Sequence, residues 1–137
     1  MEMFEEDNDD KIYNLIVSNG IDKENEYKEF IERLYSKSDF LWKESISPSY
    51  ATAGDDFFNK VDAIILLSGL YNENKEDFNE LIEQSKNYDI PIVLVRPYGM
   101  EEVPLELEKY VKSIVGWNAN CIADAIKAAV NNEEFEN

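Results

Sequence analysis

Carboxylates are the reactive groups this chain has in abundance: 30 Asp and Glu stand among its 137 residues, against one cysteine and no histidine. Without histidine, His-based nucleophilic triads lack their base, and one cysteine cannot assemble a zinc site. Cys121 sits beside Ile122 at what reads as a helix start, where it serves as a small packing residue rather than a nucleophile. One stretch concentrates the chemical question. In "FNELIEQSKNYDIPIVLVRPYG", Phe78 to Gly99, a helix carrying Glu80 and Glu83 runs into a buried strand, with Asp77 just before the quoted segment. A carboxylate there is a catalytic candidate if it faces a ligand cleft. Glu80 stands about 200° around the helix from Phe78 while Leu81 and Ile82 bracket the apolar face, so the periodicity turns Glu80 toward water.

A second set of groups falls where the predicted strands end. Ser18 and Asn19 close the first, Trp42 lies near the second, Ser68 and Tyr71 follow the third, and Arg96 and Tyr98 follow the fourth. Aromatic rings beside hydroxyls and one guanidinium suit stacking on a base or nicotinamide ring while ribose or phosphate is held. The plainer reading is that Trp42 and Tyr98 pack loops and Arg96 pairs with one of the many carboxylates.

The elements that position these groups follow from hydrophobic spacing. "IYNLIVS" (Ile12 to Ser18), "VDAIILLSG" (Val61 to Gly69) and "PIVLVRP" (Pro91 to Pro97) are short apolar runs without alternation, as strands buried on both faces require. Tyr27, Phe30, Ile31 and Leu34 recur at helical spacing with Asp22 as a candidate cap, and Phe78, Leu81, Ile82 and Ser85 form one helical face. Asp55 to Lys60 reads as a short helix, "SIVGW" as a weak last strand, and Ile122, Ala125, Ile126, Ala129 and Val130 as the face of a final helix. "FLWKESISP" (Phe40 to Pro48) is ambiguous between strand and loop. Alternating strands and helices imply an α/β fold: three layers, with about five parallel strands in a flavodoxin-like sheet and helices on both faces.

Length places all of this in one domain, 11–130, between an acidic N-terminal tail, 1–10, and an acidic C-terminal tail, 131–137. The formal net charge of -17 repels phosphate backbones and anionic membrane surfaces, which argues against nucleic acid and membrane partners. No apolar run approaches the ~20 residues of a membrane span and the N-terminus has no secretory pattern, so the expected location is cytoplasmic. Loops after the strands lack the GxGxxG turn and the GxxxxGK[ST] phosphate loop, and the central strand ends in Ser68 and Gly69 rather than a phosphoacceptor aspartate. No metal or resident cofactor is expected.

The stretches "LIVSN", "FLWKESISP", "VDAIILLSGLY", "IPIVLVRPYG", "VPLELEKYVKSIVGWN" and "CIADAI" occur in an order and spacing that resembles the short bacterial and archaeal TIR-like proteins, a group that includes partners in the Thoeris antiphage system. The resemblance runs from Lys11 to Val130, and "IVGWN" before the final helix is its most specific piece. It implies a flavodoxin-like, TIR-like fold and one of two activities: cleavage of NAD to a signalling nucleotide, or recognition and self-assembly in defence signalling. For cleaving members it implies a glutamate on the helix before "PIV" that faces the nicotinamide ribose, where a carboxylate stabilises an oxocarbenium-like centre.

That glutamate is expected ten residues before the strand's proline, and ten before Pro91 is Leu81. Glu80 is the neighbouring candidate and Asp77 the next. The short "SYATAG" segment also departs from the family's longer loop, which leaves a nucleotide cleft uncovered. The sequence therefore favours a recognition or assembly module with a vestigial nucleotide cleft, its partner a second copy or another TIR or defence protein. The alternative is an NAD-cleaving enzyme using Glu80, with Ser18, Asn19, Tyr71 and Arg96 holding substrate; a nucleoside deoxyribosyltransferase is the third reading.

Overall fold

The computed structural model describes residues 11–18, 26–68, 75–96 and 105–132. Asp22, Asn19, Tyr71 and both acidic tails lie outside them, apart from Asn131 and Asn132, which follow the last helix.

Five strands form the centre: β1 (Tyr13–Val17), β2 (Trp42–Glu44), β3 (Ala63–Leu67), β4 (Ile92–Val95) and β5 (Ser113–Val115). All pair in parallel, in the order β2-β1-β3-β4-β5, which is the flavodoxin-like doubly wound order. Every residue of β3 and β4 is buried, which explains why both read as unbroken apolar runs: helices cover each of their faces.

The helices are α1 (Glu26–Tyr35), α2 (Asp55–Phe58), α3 (Lys75–Tyr88), α4 (Leu105–Glu108) and α5 (Ala119–Val130), with a 3₁₀ turn at Tyr50–Thr52. From β1 the chain steps outward to β2, and from β3 it steps the opposite way to β4. Right-handed crossovers therefore put α1 and α3 on opposite faces. α5 packs beside α1, whose Phe30 ring lies 6.2 Å from Trp117, and α3 packs beside the 3₁₀ turn.

The "IVGWN" segment has a structural task at nearly every position. Val115 and Trp117 are buried, the guanidinium of Arg96 lies over Gly116, and the Asn118 side chain accepts from the Cys121 N–H at 3.0 Å to cap α5. Cys121 is thus the third residue of a capped helix and half-buried.

The ambiguous "FLWKESISP" contains a three-residue edge strand. Trp42 and Glu44 point to the face that α1 covers: Trp42 stacks on Tyr35 with ring centroids 4.3 Å apart, and Glu44 accepts from Tyr27. Among the described residues, no helix is long and apolar enough to cross a membrane.

Candidate functional site

Because all five strands are parallel, their carboxyl ends share one edge, where crossover loops leave the sheet and ligand sites form in this fold. Two segments flank a cleft of ≈ 540 Å³ there. One wall is Ile46 to Ala51, the chain leaving β2; the other is the first half of α3, presenting Glu76, Asp77 and Glu80. The volume is within the range of small-molecule sites. The short segment around Tyr50, expected from the sequence to leave the site uncovered, instead builds a wall of it: its 3₁₀ turn packs directly on α3.

Glu80 is placed differently from the sequence expectation. It lines the cleft, half-buried, and its Oε2 accepts a 2.7 Å hydrogen bond from Gln84 Nε2. The helix phase itself is as read, since Phe78, Leu81 and Ile82 are buried against the sheet. What the periodicity cannot reveal is that α3 has a second neighbour. Asp77, Glu80 and Gln84 follow at i, i+3 and i+7, a row beside the apolar face on the Leu81 side, and this row faces the 46–51 wall across the cleft, with Gln84 buried, Glu80 half-buried and Asp77 exposed.

Counting back from Pro91 also depends on how the helix ends. Asp89 adopts a left-handed conformation (φ 57°), and the Ile90 N–H donates to the Ser85 carbonyl at 3.0 Å, a Schellman closure. Two residues of that closure separate the helix from Pro91, so a register fixed to the proline shifts with the form of the turn.

A half-buried polar pair that sequence reasoning missed ties β2 to α1. Glu44 ends β2, and the Tyr27 hydroxyl on α1 reaches both of its carboxylate oxygens, at 2.8 and 2.7 Å. Burial pushes the Glu44 carboxyl above the ordinary carboxylate range while the Tyr27 hydrogen bond opposes that rise. Burial, then the hydrogen bond to Glu44, push the Tyr27 phenol upward. The Tyr50 phenol is pushed up to about 12 by burial and by the charges of Glu44 and Asp77. Tyr50 therefore feels the charges of both the half-buried Glu44 and the Asp77 of the cleft wall, and remains a protonated donor at neutral pH. The one available signal was the alternation of Trp42 and Glu44 in "FLWKES", too short to establish a strand face; Gln84 was legible as the i+4 neighbour of Glu80.

The other predicted ligand contacts are scattered. Ser18 is buried; its Oγ accepts from the Leu67 N–H at 3.0 Å and its own N–H donates to the Ile65 carbonyl at 2.9 Å, extending the β1–β3 pairing. Ser68 is likewise buried at the end of β3. Trp42 belongs to the α1 packing layer at the start of its strand, away from the cleft walls. Arg96 follows β4 and its N–H donates to the Val115 carbonyl at 2.9 Å, placing it toward β5 while the cleft opens beside β2 and α3. Of the predicted site residues, the fold brings together Asp77 and Glu80. The described cleft lining holds three carboxylates and no basic side chain.

No protein-family model matches the chain, and no curated protein matches its sequence.

Proposed function

We propose that the protein is an enzyme of TIR-like type that cleaves the nicotinamide N-glycosidic bond of NAD in the cytoplasm, producing a nucleotide signal in bacterial defence, with Glu80 as the catalytic carboxylate. The observation carrying this reading is the Glu80 carboxylate, held by Gln84 on the wall of a cleft at the carboxyl edge of the parallel sheet. Its neighbour Asp77 adds negative potential to the same wall.

The chemistry suits a chain without histidine. When the C1′–N bond breaks, its electron pair leaves with the pyridinium nitrogen and nicotinamide departs as a neutral base, so no proton donor is needed. Positive charge grows at C1′ and O4′ of the ribose, and a fixed carboxylate beside it lowers the barrier more than the same charge in water would. Water, or a hydroxyl of the nucleotide itself, then bonds to C1′ and releases its proton. Tyr50, protonated at neutral pH, supplies a hydroxyl on the opposite wall for a ribose oxygen. The acidic lining favours the cationic end of the substrate.

Incubating the full chain with NAD and separating the products by chromatography tests the proposal. Released nicotinamide that falls by about 10²–10³-fold in Glu80→Gln is the expected outcome for loss of one preorganised electrostatic group. No release by the wild type, or equal release by the variant, removes Glu80 from the mechanism. Transfer of deoxyribose between added bases would instead favour the deoxyribosyltransferase reading.

A second reading, a recognition and self-assembly module, draws support from Ile12, Tyr35 and Leu41. These are about half exposed and gather near the start of edge strand β2, where the Tyr13 N–H donates to the Leu41 carbonyl. A chain that stays monomeric by light scattering at high concentration, with and without nucleotide, counts against it.

A further inference from the structure

We infer that Gln84 is a positioning residue that sets the orientation of the Glu80 carboxylate, an inference that rests on the glycosidic reading for its kinetic consequence but not for its geometry. Gln84 is a buried polar side chain on a helix whose other buried residues are apolar. Its Nε2 donates to Glu80 Oε2 at 2.7 Å and, at 3.4 Å, to the backbone carbonyl of Tyr50 on the facing wall. Its Oε1 accepts from Asn87 Nδ2 at 3.4 Å.

These partners determine which way the amide points. A carboxylate and a backbone carbonyl can only accept, so the NH₂ end must face both; the flipped amide would set its oxygen 2.7 Å from a carboxylate oxygen. One amide thereby spends both hydrogens across the cleft, one on each wall. Among the described residues, Oε2 of Glu80 is engaged and Oε1 is left to meet a ligand. A surface Glu–Gln pair one turn apart adds little to an isolated helix. Here burial and the second bond, to the Tyr50 carbonyl, add what a simple surface pair lacks: a fixed distance from the carboxylate to the opposite wall.

The test compares wild type with Gln84→Leu, which fills similar space without a donor, and Gln84→Glu, which sets a second acceptor against Glu80. Circular dichroism confirms folding, and steady-state kinetics on NAD are read together with crystal structures. The expected result is a fall in kcat of about 10- to 100-fold in Gln84→Leu with KM within about threefold of wild type, as for a misplaced catalytic group, and a fall at least as large in Gln84→Glu. Unchanged kcat in Gln84→Leu, or a KM increase with kcat intact, overturns the inference. If the wild type releases no nicotinamide, the glycosidic reading falls, and the structures alone decide the positioning role. A Glu80 carboxylate displaced by about 1 Å or more in Gln84→Leu upholds it, and one that has not moved overturns it.

Discussion

Replacing Tyr27 with phenylalanine removes one oxygen and leaves the ring. It also takes from the half-buried Glu44 carboxylate the hydroxyl that reaches both its oxygens at 2.7 and 2.8 Å. A hydrogen bond to a charged group contributes about 1.5–3 kcal/mol, and the partial exposure of this pair to solvent reduces that to about 1–2 kcal/mol. With a urea m-value of about 2 kcal/mol/M, the midpoint at neutral pH falls by about 0.5–1 M.

The loss has a defined pH dependence. A carboxyl whose folded-state pKa is raised binds its proton more readily in the fold than in the unfolded chain. Its ionisation therefore costs stability: the cost is absent below the unfolded value, grows as pH rises from there through the folded value, and is complete above it. The Tyr27 hydroxyl holds that rise down, so in Tyr27→Phe the Glu44 carboxyl titrates higher still. The difference between variant and wild type should be largest near pH 8 and smaller at an acidic pH at which the carboxyl is protonated in both folded proteins. Urea titrations of both proteins at the two pH values measure it. An equal loss at both, or no loss at either, refutes the account of Glu44 as a buried charge sustained by Tyr27.

Alkaline titration should show ionisation of Tyr50 only toward about pH 12, whereas unfolded phenols ionise near 10; stability present below about pH 10 is lost as pH climbs through that window, by about 1–2 kcal/mol for this group after solvent screening. Tyr50→Phe removes part of the late phenolate absorbance, and a wild type whose tyrosines all ionise in one step near 10 contradicts the prediction. Leu81→Ala should cost about 2–5 kcal/mol in chemical denaturation, because Leu81 is 1% exposed, while Glu80→Gln one residue away stays within about 0.5 kcal/mol of wild type. The reverse order would mean the two side chains have been assigned to the wrong sides of α3. Asn118→Ala should lower stability by about 1 kcal/mol through loss of the α5 cap, read as a lower melting temperature, and Asn118→Asp should retain it.

Much of the architecture was written in local patterns. "AIILL" and "IVLV" can be buried on both faces only in a covered parallel sheet, and the Tyr27, Phe30, Ile31, Leu34 row requires a helix with one apolar side. β2 resisted because three residues give a single alternation, and an edge strand need not be apolar. The site was legible in part. Asp77 and Glu80 were singled out, but a helical wheel shows only the face turned to the sheet, and the wall that meets Glu80 comes from residues some thirty positions earlier. Ser18 carries a task that its position alone did not reveal: the hydroxyl at the strand end satisfies the Leu67 N–H where the ladder stops. Glu44 escaped because its partner Tyr27 counted as part of the apolar row, whereas the tip of a tyrosine is polar.

The α3 helix carries Phe78, Leu81 and Ile82 against β3 on one flank and Asp77, Glu80 and Gln84 toward the 46–51 segment on the next. Such a rod works like the jaw of a caliper, its seating on the sheet setting how far the acidic flank stands from Tyr50. Close-packed interiors transmit small volume changes instead of absorbing them. Trimming a methyl group from Ile82 would therefore retune the gap from beneath, so the width of the cleft answers to substitutions that never line it.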